Sequence, residues 1–91
     1  VCFKYKSAIG EGARADHRQR LKALAGLDGV VDLKVGADVV HSARSYDTGL
    51  MVLLRDRQAL DQYRVHPSHV PVAELGSSLC DAIVSADFDH D

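Results

Sequence analysis

Apolar and polar residues alternate along the first six positions. Val1, Phe3 and Tyr5 fall on one side, and Cys2, Lys4 and Lys6 on the other. A period of two predicts a half-buried strand. SAIGEG then reads as a loop, after which the spacing changes. Between Ala13 and Leu27, Leu21, Leu24 and Ala25 recur at helical intervals with His17 and Leu27 nearby, while Arg14, Arg18, Gln19, Arg20 and Lys22 form a solvated side. This predicts an amphipathic helix, with Gly26 and Gly29 at its end and the following turn. VVDLKVGADVV (Val30–Val40) alternates again as a second strand, with Gly36 expected at a bulge or bend. In the polar loop HSARS, Ser42, Arg44 and Ser45 read as turn chemistry. Tyr46–Arg55 is the third strand, and its unbroken apolar run Leu50–Leu54 predicts burial on both faces.

Asp56 is placed to cap the next helix, which carries Leu60 and Tyr63 three apart. Pro67 lacks an amide donor and clashes with the turn before it, so this helix should end near His66. A proline suits the first turn of a helix, and a new one should follow. His69, Val72, Ala73, Gly76 and Leu79 form its inward stripe, with Glu74, Ser77 and Ser78 outside it. Asp81–Asp89 alternates as a last strand, placing Val84, Ala86 and Phe88 on one side.

The resulting order, β-α-β-β-α-β with the second helix broken in two, predicts an α+β chain. Its four antiparallel strands should lie in the order 4-1-3-2, with the helices on one face. The strands carry apolar residues on both faces, yet the helices can cover only one. An exposed apolar sheet face predicts association, most simply a symmetric homodimer joined sheet to sheet. In that order Cys2 begins strand one while Cys80 lies at the other end, which argues against an internal disulfide.

With 91 residues, 46% hydrophobic and 26% charged, the chain fits one domain spanning residues 1–91. Two cysteines make no disulfide framework, and no metal-finger spacing occurs. Free thiols suit a reducing compartment, so a cytoplasmic location is expected. There is no apolar run of ~18 residues to span a membrane, and no secretory leader pattern. The net charge is -2, basic residues are scattered and aromatics are few, which excludes a nucleic-acid platform. Gly10 and Gly12 form no phosphate loop, and no cofactor is implied.

The densest chemistry lies in DQYRVHPSHV (Asp61–Val70). His69 shares its stripe with apolar residues and so faces the interior. An imidazole is the side chain best suited to move protons near neutrality, and burial favours its neutral form. Tyr63 lies six residues earlier across the proline. A kink there brings both over one cavity, where the phenol stabilises an enolate. The alternative for each is structural: a core histidine fixing the break, and a tyrosine reaching the surface. His66 is expected to cap the second half-helix rather than share a metal with His69. His17, His41 and His90 have no partner pattern and are expected in solvent, as are Asp87, Asp89 and Asp91.

VCFKYK, VGADVVHSARSYD, the Tyr-x-x-His-Pro-x-His-Val motif YRVHPSHV and the closing DFD resemble the stress-responsive α/β-barrel (Dabb) family. The likeness runs along nearly the whole chain. It implies a ferredoxin-like fold that dimerises through its sheets into an α/β barrel. Most of that family has no assigned activity. A plant polyketide cyclase in it works without a cofactor, by aldol condensation. The resemblance places its catalytic pair at Tyr63 and His69, and its pocket lining at Val1, Phe3, Leu50, Val72 and Ile83. Thr48 and Pro71 depart from that enzyme, standing where it has a pocket histidine and a glycine, and another of its histidines falls upstream of Val1. The expected function is therefore binding of a small hydrophobic, carbonyl-bearing molecule with cofactor-free acid-base chemistry. The alternative is a non-catalytic stress-response or ligand-binding protein.

Overall fold

The computed structural model describes residues 1–90. Strand β1 (Cys2–Tyr5) leads to helix α1 (Glu11–Lys22), which tightens into a 3₁₀ turn at Ala23–Gly26. Strands β2 (Val30–Ala37) and β3 (Thr48–Leu54) form a hairpin. Helices α2 (Arg57–Arg64) and α3 (His69–Leu79) are followed directly by β4 (Cys80–Val84). The sheet order is β2-β3-β1-β4, antiparallel throughout, as the alternation and topology rules predict. No helix among the described residues is long and apolar enough to cross a membrane.

Local chemistry explains the element ends. The carboxylate of Asp56 accepts the backbone N–H of Ala59 at 2.8 Å, satisfying an orphan donor at the start of α2. Gly29 turns the chain into β2 at φ +87, a conformation that disfavours any side chain. The α2–α3 break follows Pro67. There the Nδ1 of His66 accepts the N–H of Ser68 at 2.9 Å, and the His66 carbonyl accepts from His69 and Val70. His66 therefore lies in the turn that precedes α3, whose N-cap is Ser68 without a side-chain cap bond.

The core lies between the helices and the inner sheet face. Phe3, Tyr5, Leu21, Leu24, Leu50, Tyr63 and Cys80 form it, and Val72, Leu79 and Val52 pack against it. The pleat sends Cys2, Lys34, Gly36, Gly49, Met51 and Val84 to the other face. Nothing among the described residues covers that face: Met51 is 55% and Val84 48% exposed.

Several expectations require correction. His17, expected in solvent, is completely buried. The register shifts between Val30 and Asp32 and between Lys4 and Tyr5, whereas Gly36 sits in regular register opposite Gly49. β4 ends at Val84, because β1 offers partners only from Cys2 to Tyr5. Phe88 consequently lies outside the sheet, 79% exposed. On α3, Ala73 is exposed and Leu75 half-buried, so the stripe runs through 69, 72, 75, 76 and 79. Ala25 is likewise exposed on the 3₁₀ turn. The run Leu50–Leu54 is buried on one face only, with Leu50 inside and Met51 outside.

Candidate functional site

Tyr63 sits in the last turn of α2 and His69 in the first turn of α3. The break between them brings the rings together, with centroids 4.4 Å apart and planes tilted by 40°. The Tyr63 side chain is buried. Its hydroxyl is enclosed and has no hydrogen-bond partner among the described residues. Burial pushes the phenol's pKa up, keeping its proton available for donation. His69 is half-buried, and its Nδ1 lies 3.1 Å from the carbonyl oxygen of Arg64. A carbonyl can only accept, so Nδ1 carries the hydrogen of that bond. In the neutral ring the lone pair is then on Nε2.

The five expected lining residues divide. Phe3 and Leu50 are buried in the core, and Val72 packs against it. Ile83 pairs with Phe3 in the sheet register and is 39% exposed. Val1 borders an open hollow of about 600 Å³ together with Cys2, Gly36, Gly49, Leu50 and Met51. A second crevice of about 250 Å³ runs between α1 and α3, lined by Asp16, Arg20, Pro71, Val72 and Leu75. Neither hollow is lined by Tyr63 or His69. No group of three or more His, Cys, Asp or Glu side chains among the described residues is gathered as a metal site. Cys2 and Cys80 are both free, at opposite ends of the β1–β4 pairing.

The strongest polar arrangement is one the sequence reading missed. The Tyr5 hydroxyl lies 2.7 Å from Nδ1 of His17 and 3.0 Å from Oγ1 of Thr48. Arg18 donates from its guanidinium to the same Thr48 oxygen at 3.3 Å. Both His17 and Thr48 are fully buried. The guanidinium of Arg14 stands 5.0 Å over the Tyr5 ring, and Nε of Arg14 donates to the Ile9 carbonyl.

Donor counting sets the direction of this chain. The Thr48 oxygen accepts from Arg18, and its own hydrogen finds an acceptor in Tyr5. Tyr5 then donates to Nδ1 of His17, which leaves Nε2 of His17 as an N–H. The reverse direction strands the Thr48 hydrogen as well as Nε2, so the first arrangement leaves fewer buried groups unpaired. Burial holds the His17 pKa below its ordinary value, with the Arg18 charge adding to the effect. Burial also raises the Tyr5 phenol pKa, so both groups are neutral near pH 7. The signal was present in the sequence, since His17, Leu21 and Leu24 are spaced i, i+4 and i+7, with the histidine on the apolar stripe.

Solved structures share this architecture at low sequence identity. A protein of Arabidopsis thaliana matches with a TM-score of 0.83 at 15% identity, over 99% of this chain and 90% of its own. A dimeric ferredoxin-like protein of unknown function from Thermobifida fusca matches with a TM-score of 0.80 at 18% identity, over 89% and 77% of the two chains. Another dimeric ferredoxin-like protein of unknown function, from Jannaschia, matches with a TM-score of 0.69 at 26% identity, over 87% and 80%. No curated protein matches the sequence significantly. These likenesses establish the ferredoxin-like α+β fold read from the strand and helix order. The family model for the stress responsive A/B barrel domain matches residues 1–90. The YRVHPSHV segment, the four-strand order and the bare outer sheet face thus have one common explanation: the chain belongs to the stress-responsive A/B barrel domain family.

Proposed function

We propose that the protein is a homodimer joined through the open faces of its two sheets. We further propose that each protomer binds a small apolar, carbonyl-bearing molecule at the α2–α3 break. The dimer reading is supported by the uncovered apolar face bearing Met51 and Val84, and by the dimeric relatives. The observation that carries the binding reading is the Tyr63 hydroxyl, enclosed and unpartnered beside His69. Buried donors are nearly always satisfied, so a partnerless one marks where a ligand oxygen belongs.

In this reading Tyr63 donates to the ligand carbonyl. Nε2 of His69 removes a proton from the adjacent carbon, and the electron pair becomes an enolate whose oxygen Tyr63 holds. The enolate carbon attacks a second carbonyl of the same molecule, and the imidazolium returns its proton to the new alkoxide. The reaction is an isomerising ring closure, balanced without a co-reactant. Phe3 and Leu50 share the buried core with Tyr63, and Val72 packs against it.

A specific observation favours a second reading. The bond from His69 to the Arg64 carbonyl also fixes the helix break, so the pair can shape a binding site that does not turn its ligand over. Calorimetric titration and turnover of a panel of linear β-polyketides and phenolic ketones separate the two. Catalysis predicts binding retained but turnover lost in His69→Ala, and weaker binding in Tyr63→Phe. Equal turnover by wild type and His69→Ala removes His69 from the mechanism. Binding without turnover in the wild type assigns the second reading. Sedimentation as a ~10 kDa species would refute the dimer, since exposed faces of this kind associate.

A further inference from the structure

We propose that His17 is an acid-sensitive latch between α1 and α3. When its ring takes up a proton, the seam between these helices opens while the β2–β3 hairpin stays folded. The surroundings of the ring suit its neutral form, and none of them supplies what the charged form needs.

The neutral ring is engaged on one side and sealed on the other. Nδ1 accepts from the Tyr5 hydroxyl at 2.7 Å, and the Phe3 ring meets it edge-on with centroids 4.9 Å apart. Nε2 has no partner among the described residues. Gly76 of α3 closes over that nitrogen so tightly that a Cβ placed there would stand 3.2 Å from it. The whole side chain is out of contact with solvent.

A proton added to this ring puts a hydrogen on both nitrogens. Nδ1–H then points at the Tyr5 oxygen, so Tyr5 must turn its own hydrogen toward Thr48. The Thr48 hydrogen loses its acceptor, because the other neighbour of that oxygen is the Arg18 guanidinium, which only donates. At Nε2 the charge meets Gly76 and no acceptor. The groups facing the ring offer no compensation. On α1, Arg18 adds a like charge and is paired with Glu11, while Asp16 is exposed and paired with Arg20. β1 and β3 bring the uncharged hydroxyls of Tyr5 and Thr48. α3 brings Gly76, with Glu74 exposed. The imidazolium is a buried cation without an anion, and water must reach it.

The helix α3 is the part that yields. Tyr5 and Thr48 stand on the two central strands of the sheet, and the ring is carried by α1 itself. Against Nε2, α3 places only a glycine, with no side chain to interlock. Burial and Arg18 hold the closed ring's pKa below the ordinary 6.5. The open form therefore binds the proton first, and the closed form is lost as pH falls below about 6.5. His69 lies in the first turn of α3, so the opening reaches its contact with Tyr63. A consequence for ligand binding rests on the function proposed above; the opening itself does not.

Amide hydrogen exchange tests it, on the whole chain at one fixed concentration, from neutral pH downward and in low urea. Rates are corrected for their intrinsic dependence on pH. Amides of α3 should be less protected than those of the β2–β3 hairpin and nearly insensitive to low urea, the mark of a local opening. Their protection should fall below pH ~6.5 by up to about tenfold per pH unit, the limit for one proton. The hairpin should keep the larger urea dependence of global unfolding. In His17→Asn the amide oxygen takes the place of Nδ1 toward Tyr5, and the ring that titrates is gone. This variant should lose the pH dependence at α3, which also separates His17 from His66 and His69 at the start of that helix. Protection of α3 that is flat with pH, that keeps its slope in His17→Asn, or that carries the full urea dependence of the hairpin overturns the proposal. The wild-type comparison of α3 with the hairpin is decisive even where the variant folds poorly.

Discussion

Two tyrosine-to-phenylalanine substitutions should act in opposite directions, although both remove a buried hydroxyl. Tyr5 bridges His17 and Thr48, and neither side chain reaches water. Tyr5→Phe keeps the ring, its edge contact with His17 and the Arg14 cation above it. What it removes is the acceptor of the Thr48 hydrogen and the donor to Nδ1 of His17. Two buried groups are stranded at about 1–3 kcal/mol each. Arg18 carries only donors and cannot take the stranded Thr48 hydrogen, so the net loss should be about 2–6 kcal/mol. Against a total stability of about 5–15 kcal/mol this is a large fraction. At about 4–8 °C per kcal/mol for a domain this size, the melting temperature should drop by at least about 8 °C.

Tyr63→Phe removes a hydroxyl with no partner, and so removes an existing penalty. It should be neutral within about 0.5 kcal/mol, or stabilising. Urea unfolding at one fixed protein concentration measures both, because stability of an associating chain depends on concentration. Equal losses in the two variants, or an unchanged midpoint for Tyr5→Phe, would refute the assignment of partners on which these magnitudes rest.

Stability should also respond to pH through His17. Burial and Arg18 hold its folded pKa below the ordinary 6.5. Below that value the unfolded chain takes up the proton first, so stability present above pH ~6.5 is lost as pH falls through the folded value. His17→Phe should flatten this slope below pH ~6.5. The carboxyl groups held low, Asp38 by backbone N–H donors and Asp89 by Arg57, act only below their ordinary 3.8. A wild-type slope retained in the variant would assign it elsewhere. Gly29→Ala should cost about 2–4 kcal/mol in the same unfolding assay, since it combines left-handed backbone with a tight contact: its Cβ would lie 2.8 Å from that of Ala59. A loss under half a kcal/mol would contradict the turn geometry. Met51→Asp on the open sheet face should convert the proposed dimer to monomer in sedimentation while leaving the circular dichroism spectrum unchanged. A persistent dimer would move the interface off that face.

The fold was legible because its signals are periodic. Phe3 and Tyr5 and the α2–α3 break at Pro67 follow from spacing or backbone chemistry. The errors arose where a periodic pattern outran its partner. Phe88 continues the alternation of β4, but pairing stops where β1 runs out of residues. The site was legible in part. The rings of Tyr63 and His69 meet across the break at Pro67, but neither of the two hollows is lined by them. His17 was lost because it sits among Asp16, Arg18 and Arg20, and local polarity outweighed its place on the stripe. A tyrosine on the buried face of β1 needs a partner for its hydroxyl, and that need was the overlooked clue to His17 and Thr48.

The position of β1 governs how the chain can be made. It precedes the other three strands in sequence, yet its neighbours in the sheet are β3 and β4, with Cys2 meeting Gly49 and Val84. Only the β2–β3 hairpin joins strands adjacent in sequence. On the ribosome that hairpin can form early and take up β1 against β3, while the other edge of β1 stays open until β4 emerges. Strand edges and apolar surface left open in this interval are what chaperones bind and what aggregates. Truncation before Cys80 would make the wait permanent, leaving the central strand of the sheet as an unprotected edge.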